Sequence, residues 1–265
     1  MPSDVAVYLL NQKRDEMNPP TDTDTHLSQT EPRTDTALSI ACRELVAHVT
    51  AITAFAELLL KAGLPNPQGQ EWLEILHRHA QRLGAVASDL LDLAGVLAGK
   101  LAINLERLAV TEALDMALAA IRPTTDKHRF VVSTGPEIPE VLADRQRLAQ
   151  VLANLLDNAV KYSPEGGVIT IAAYHRPERG QVVVSVADQG LGIAPEDQEK
   201  IFIPFQRINR AETQDIKGRG LGLYVVRELL ERMGGEIWLE SELDKGSCFF
   251  FSLPTLPGDL SGPPL

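Results

Sequence analysis

The sequence predicts two structural units: an α-helical hairpin that forms a dimeric four-helix bundle, then a domain that mixes helices and strands around a pocket. The first observation is a run of apolar heptads over residues 37–99, broken by a proline turn. The second is an amphipathic helix bearing two amides, Gln150 to Tyr162. The third is a pair of glycine clusters, Asp188-Gln189-Gly190-Leu191-Gly192 and Gly218-Arg219-Gly220-Leu221-Gly222, with Phe202 and Phe205 between them. A chain of 265 residues, 44% hydrophobic, suits two modest domains with a full core in the larger. A net charge of −11 disfavours binding to nucleic acid or an anionic membrane surface.

Residues 1–36 are polar, with Pro19-Pro20 and the run TDTDTHLSQTEPRTDT, and read as a flexible N-terminal segment with a short helix near Val5 to Asn11. A solvated tail accounts for this composition better than a phosphorylation region. Residues 37–101 read as the hairpin. Leu38, Leu45, Ile52 and Leu59 recur every seven residues, with Cys42, Val49 and Ala56 interleaved. After Leu64-Pro65-Asn66-Pro67 the pattern resumes at Leu76, Leu83, Leu90 and Leu97, with His79, Val86 and Leu93 between. Heptads on two helices joined by a proline turn suit an antiparallel pair that needs a partner, so a homodimer is expected. A hairpin packed on the chain's own second domain is the alternative, and His79 on this face reads as a core histidine.

Residues 102–256 form the second predicted domain, and 257–265, rich in Gly and Pro, a loose tail. Cys42 and Cys248 are too few for a disulfide framework, and the six histidines show no metal-ligand spacing. No stretch approaches the roughly 18 apolar residues of a membrane span, and no signal-peptide pattern is visible. A cytoplasmic protein without membrane insertion is expected.

Within Gln150–Tyr162, Val151, Leu152, Leu155, Ala159 and Val160 fall at helical spacing. Asn154 and Asn158 are four apart, so their amides project from one side, with Lys161 a turn further on. Amide oxygens suit a magnesium ion that keeps several waters and is also held by phosphates. A lysine adds a point charge for those phosphates. A helix with solvated polar residues would explain this segment alone equally well. Gln181 to Asp188 reads as a β-branched strand ending in an acid and a glycine turn. There the Asp188 carboxylate could accept the amino group of adenine, and Gly190 and Gly192 allow close backbone approach. An ordinary strand-turn with a solvated Asp is the common alternative. Gly218 to Gly222 opens a helix from Leu221 to Met233, whose first N–H groups can meet phosphate oxygens. Arg207 and Arg210 lie in the intervening segment Gln206 to Lys217, as phosphate contacts or as solvated loop charges.

In this order the segments resemble the catalytic, ATP-binding domain of sensor histidine kinases, a family shared with gyrase, the Hsp90 chaperones and MutL. The resemblance continues through Gly234-Gly235-Glu236-Ile237-Trp238, Lys245-Gly246-Ser247-Cys248-Phe249 and the closing Phe250-Phe251-Ser252-Leu253-Pro254. It implies an α+β two-layer sandwich ATP-binding domain that takes ATP and Mg2+. Carried over by position, Asn158 would hold Mg2+, Asn154 and Lys161 would sit near the phosphates, and Tyr162 would flank the nucleotide. Asp188 would read adenine in a pocket shaped by Gly190, Gly192 and Ile193. Phe205, Arg210 and Gly218 would belong to the lid, and Gly220, Leu221 and Gly222 would anchor its far end. Cys248 replaces a threonine that supports the aspartate. A thiol is the weaker partner, and losing one supporting hydrogen bond costs about 0.5–1.5 kcal/mol. Arg219 stands where a small residue is usual.

The hairpin resembles the dimerization and phosphoacceptor domain of the same kinases, with Arg43-Glu44-Leu45-Val46-Ala47-His48-Val49-Thr50-Ala51-Ile52 aligned on its acceptor motif. Arg43 falls on the acceptor histidine. A neutral imidazole can attack phosphorus, whereas a guanidinium with a pKa above 12 is deprotonated in about one molecule in 10⁵ or fewer. Glu44 matches the acid that acts as base, and Ala47 replaces the polar residue used in phosphatase activity. His48 is an alternative acceptor, rotated about 140° from Arg43 around the helix; a partly packed histidine is the competing reading. His26 is reachable but has no site around it. The resemblance implies two-component phosphoryl transfer by a protein histidine kinase, without autophosphorylation at the usual position. Its partners would be a response regulator, a partner kinase or a sensor protein. The alternative is a pseudokinase, a nucleotide-gated dimeric binding module. An ATPase of the gyrase and Hsp90 kind is disfavoured because Asn154 occupies the position of their water-activating glutamate.

Overall fold

The structure is a computed structural model of the 265-residue chain. It describes residues 31–62, 69–97, 102–135, 137–208, 210–213, 216 and 220–256. The chain divides into two compact units with a boundary between Leu101 and Ala102.

The first unit contains α1 (Glu31–Ala62) and α2 (Gly69–Leu97), packed against each other. The helix begins at Glu31, six residues before the expected boundary at 37. Pro32 fits there because first-turn N–H groups have no intrahelical acceptor to lose. The proline turn lies outside the described residues, as do residues 1–30, the tail 257–265 and the side chains of Arg43 and Glu44. His48 and His79 meet across the hairpin, Nδ1 to Nδ1 at 3.1 Å, with ring centroids 5.3 Å apart. That separation is close to the maximum for two rings whose nitrogens point straight at one another. One ring therefore donates and the other accepts. Leu93 and Val96 are buried, whereas Val46, Val49, Leu58, Leu60, Leu73 and Leu91 are exposed.

The second unit is a two-layer α/β sandwich. Its elements are β1 (Glu106–Leu108), α3 (Val110–Ile121), β2 (His128–Thr134), β3 (Val141–Ala143), α4 (Arg145–Lys161) and β4 (Gly167–Arg176). They are followed by β5 (Gln181–Ala187), α5 (Gly222–Arg232), β6 (Glu236–Glu242) and β7 (Gly246–Pro254). The five-stranded sheet runs β2-β4-β5-β7-β6, with β2 parallel to β4 and the other pairs antiparallel. β1 and β3 pair separately. Alternation along the strands sends Ile169 and Ile171, Val182, Val184 and Val186, and Phe249, Phe251 and Leu253 to one face, all buried. α4 packs there with α3 and α5 on either side, through Leu148, Val151, Leu152, Leu155 and Leu156. Asp144 starts α4 by accepting hydrogen bonds from the Gln146 and Arg147 amides, both at 3.0 Å. Burying five such aliphatic side chains contributes on the order of 1.5–3 kcal/mol each. That packing fixes the side of α4 on which Asn154 and Asn158 stand.

Candidate nucleotide-binding site

The site forms where the C-terminal end of α4, the turn after β5 and the start of α5 converge. α4 ends at Tyr162, whose amide bonds the Asn158 carbonyl at 2.9 Å. The Tyr162 carbonyl accepts the Leu191 amide at 2.9 Å, which clamps the turn after β5 to the end of α4. Gly190 is required at this contact, because a Cβ there would lie 2.0 Å from the Tyr162 oxygen.

Asp188 leaves β5 on the helix-facing side and is 9% exposed. Its Oδ1 accepts the Gly190 amide at 2.8 Å and the Ser247 amide at 3.3 Å. Its Oδ2 makes no hydrogen bond among the described residues, which leaves one directed acceptor for a donor such as an exocyclic amino group. Burial pushes the carboxyl up to about 6, against the opposing effects of the two amides and the nearby His128 imidazole.

Behind the turn, the Ser241 hydroxyl accepts the Ile193 amide at 2.8 Å, donates to the Gly246 carbonyl at 2.9 Å and lies 2.9 Å from the Ser247 hydroxyl. Gln198 donates to the Ile193 and Ser241 carbonyls. These bonds hold Ile193 and Gly192 against the β6–β7 hairpin. On the far side, His128 Nε2 donates to the Ser163 carbonyl at 2.9 Å, while Nδ1 accepts from Thr125 at 2.7 Å. That braces the residue following Tyr162.

At the other end of the groove, a Cβ on Gly222 would lie 3.6 Å from Asn154 Oδ1, so α4 presents its amide to the start of α5. Asn158 follows one turn along, half-buried. The segment between the glycine clusters is anchored at both ends. Arg227 on α5 lies 5.9 Å over the ring of Phe202, which is buried. The Phe205 amide donates to the Gly220 carbonyl at 2.7 Å. Phe205 and Gly220 both have positive φ, 64° and 68°, and a Cβ on Gly220 would meet the Gln206 carbonyl at 2.5 Å. Glycine is the residue that tolerates that turn. Between the anchors, Arg207 donates to the Ile216 carbonyl at 2.5 Å, and Arg210 lies 3.8 Å from Glu212.

The structure thus brings Asp188, Gly190, Gly192, Ile193 and Tyr162 together at one end, and Asn154, Leu221 and Gly222 at the other. Lys161 is paired with Asp157 on its own helix. Gly218 lies outside the described residues. Cys248 is a correction: it pairs with Ala187 in the sheet and shares that residue's face, opposite the one Asp188 leaves from. There, burial pushes its thiol up, as do Glu240 and Asp188. The residue beside Asp188 is Ser247, whose amide and carbonyl both bond it. Ser247, Ser241 and His128 were absent from the sequence-based site. The alternation Phe249, Phe251, Leu253 carried the signal for Ser247, since it places 247 rather than 248 on the core face.

A buried carboxylate on a glycine turn, amides on the neighbouring helix and a glycine-anchored segment leading to the start of α5 beside Asn154 define the nucleotide-binding class of α/β sandwich. Residues 143–257 match the family described as Histidine kinase-, DNA gyrase B-, and HSP90-like ATPase. The Adaptive-response sensory kinase SasA of Thermosynechococcus vestitus is 36% identical over 230 residues, 83% of this chain and 60% of that protein. The chain therefore spans less than two thirds of that relative. ShkA in complex with AMPPNP superposes with a TM-score of 0.62 at 26% identity, over 83% of this chain and 45% of ShkA. Histidine kinase ThkA in complex with the response regulator TrrA gives 0.60 at 25% identity, over 89% of this chain and 68% of ThkA. The chain belongs to the histidine kinase family, of which it carries the transmitter core.

Proposed function

We propose that the chain binds Mg-ATP between α4 and α5 and acts in two-component phosphoryl transfer as a cytoplasmic homodimer joined through residues 37–101. The observation that carries the nucleotide reading is the free Oδ2 of Asp188, held in place by two amides on Oδ1. Asp188 stands at the turn that is clamped to the end of the helix carrying Asn158 and Asn154. In this reading Asp188 accepts the adenine amino group and Tyr162 flanks the base. Gly190, Gly192 and Ile193 line the pocket, while Asn154, Lys161, Arg210 and the start of α5 face the phosphates. Phe205, Gly218, Gly220, Leu221 and Gly222 frame the lid.

Among the described residues no group of three His, Cys, Asp or Glu gathers to hold a cation. A magnesium ion here suits the half-buried Asn158 amide because such an ion keeps waters and shares phosphate oxygens. It would supply charge stabilisation at the transferring phosphoryl group.

Arg43 at the acceptor position favours transfer to another protein's histidine, or a pseudokinase that gates binding to a response regulator, kinase or sensor protein. Glu44 then has no acceptor beside it to serve. The Nδ1 of His48 is engaged with His79, so any attack on phosphorus by His48 would have to come from its Nε2. Calorimetric titration with Mg-ATP tests the nucleotide reading. The wild type is expected to bind and Asn158→Ala to lose affinity; a wild type that binds no nucleotide would end the proposal.

A further inference from the structure

The hairpin carries a pair of histidines that the nucleotide site does not use. His48 on α1 and His79 on α2 are 31 positions apart in the chain, so no spacing along either helix announces them. Leu45 and Ile52 lie three before and four after His48, and Leu76 and Leu83 stand in the same relation to His79. All six are half-buried, so the two imidazoles occupy equivalent heptad positions in the seam between the helices. Aliphatic side chains at these positions would pack without desolvating a ring nitrogen. The two Nδ1 atoms are 3.1 Å apart, with the ring planes tilted by 55°. Two imidazoles bound to one tetrahedral Zn2+ at 2.0–2.1 Å hold their nitrogens about 3.3–3.4 Å apart. The helices thus already present two nitrogen ligands at close to the separation that one ion requires.

We propose that His48 and His79 form a site for a first-row transition ion of the Zn2+ kind, bound through both Nδ1 atoms. Entry of the ion widens the Nδ1 separation by a few tenths of an ångström. It also turns each ring by about 35°, half the difference between a straight line and the tetrahedral angle. Imidazole suits such ions, whereas Mg2+ and Ca2+ take oxygen ligands. The ring that donates in the hydrogen-bonded pair changes tautomer, its proton leaving Nδ1 for Nε2 by way of solvent. Each imidazole stays neutral and no net proton is released. Two protein ligands leave the remaining positions to water, which reaches a half-buried pair. An ion so held cross-links α1 to α2 and fixes their register about 7.5 Å along α1 from position 43. The site lies within the hairpin and does not depend on the nucleotide reading.

Titration of the full chain with zinc chloride tests the site, read by calorimetry and by thermal unfolding. The wild type is expected to take up an ion and to melt at a higher temperature, an effect that an added chelator reverses. His48→Gln and His79→Gln, each checked for native helix content, are expected to lose about tenfold or more in zinc affinity. His77→Gln, two residues from His79 on an exposed part of α2, is expected to retain it. Nitrogen-15 spectra of the wild-type histidine rings identify the ligating atom, with the Nδ1 signals of His48 and His79 expected to move on zinc addition. A wild type that takes up no zinc overturns the proposal, as does uptake equal in the wild type and both glutamine variants. Should those variants fail to fold, Nδ1 signals that stay in place in the wild type overturn it. The pair would then serve only to set the register of the two helices.

Discussion

Asp188 concentrates the chemistry of the pocket in one side chain. Its carboxyl titrates near 3.8 when unperturbed and near 6 in the fold, with burial as the main cause. The folded state therefore binds more protons than the unfolded one between those values, so stability falls as pH rises through this window. Above it the cost is complete, about 3 kcal/mol for a shift of this size. A ligand that donates to Oδ2 offsets part of that cost. Asp188→Asn is expected to leave the nucleotide-free domain as stable or more stable at pH 7, measured by urea denaturation. It should also weaken Mg-ATP binding about 10- to 100-fold, because an amide N–H would face the adenine amino group and a charge-assisted bond is lost. Wild-type affinity should fall as pH drops through about 6, since a protonated carboxyl no longer accepts as an anion. Asp188→Asn should lack that component, and equal pH dependence in the two proteins would contradict this account of the residue.

At the scale of elements, the pocket depends on how the β6–β7 hairpin meets the turn after β5. Ser241 makes that joint, through Ile193, Gly246 and Ser247. Ser241→Ala should destabilise the domain by about 1–3 kcal/mol, as expected when partly buried partners lose their bonds. It should weaken nucleotide binding in step, and titration calorimetry beside denaturation checks both. The same joint shows where sequence reasoning stopped. α4 was legible because its apolar spacing survives in one segment, and the glycine clusters because Gly190 and Gly220 meet backbone that no Cβ would clear. Ser241 and His128 were not, since they act on Ile193 and Ser163, residues 48 and 35 positions away. Ser247 and Cys248 are adjacent small residues, and the pairing of Cys248 with Ala187 decided which one faces Asp188. The start of α1 was missed because residues 31–36 are polar enough to resemble the tail before them.

Across the whole molecule, the hairpin presents Val46, Val49, Leu58, Leu60, Leu73 and Leu91 to solvent as a single chain. Covering such a surface is the favourable term in helical dimerization. Sedimentation equilibrium at micromolar concentration should show a homodimer, and Leu60→Asp with Leu91→Asp should shift it toward monomer. A monomeric wild type would contradict the bundle. In the proposed reading the transmitter core keeps a working ATP pocket, while Arg43 stands where its phosphate acceptor would be. Incubating the purified full chain with γ-labelled ATP and magnesium, then treating the protein with acid and alkali, tests it most directly. The account predicts measurable ATP binding and no acid-labile label on the chain. Acid-labile, alkali-stable label that is lost in His48→Gln would contradict it and would make this an autokinase with a displaced acceptor.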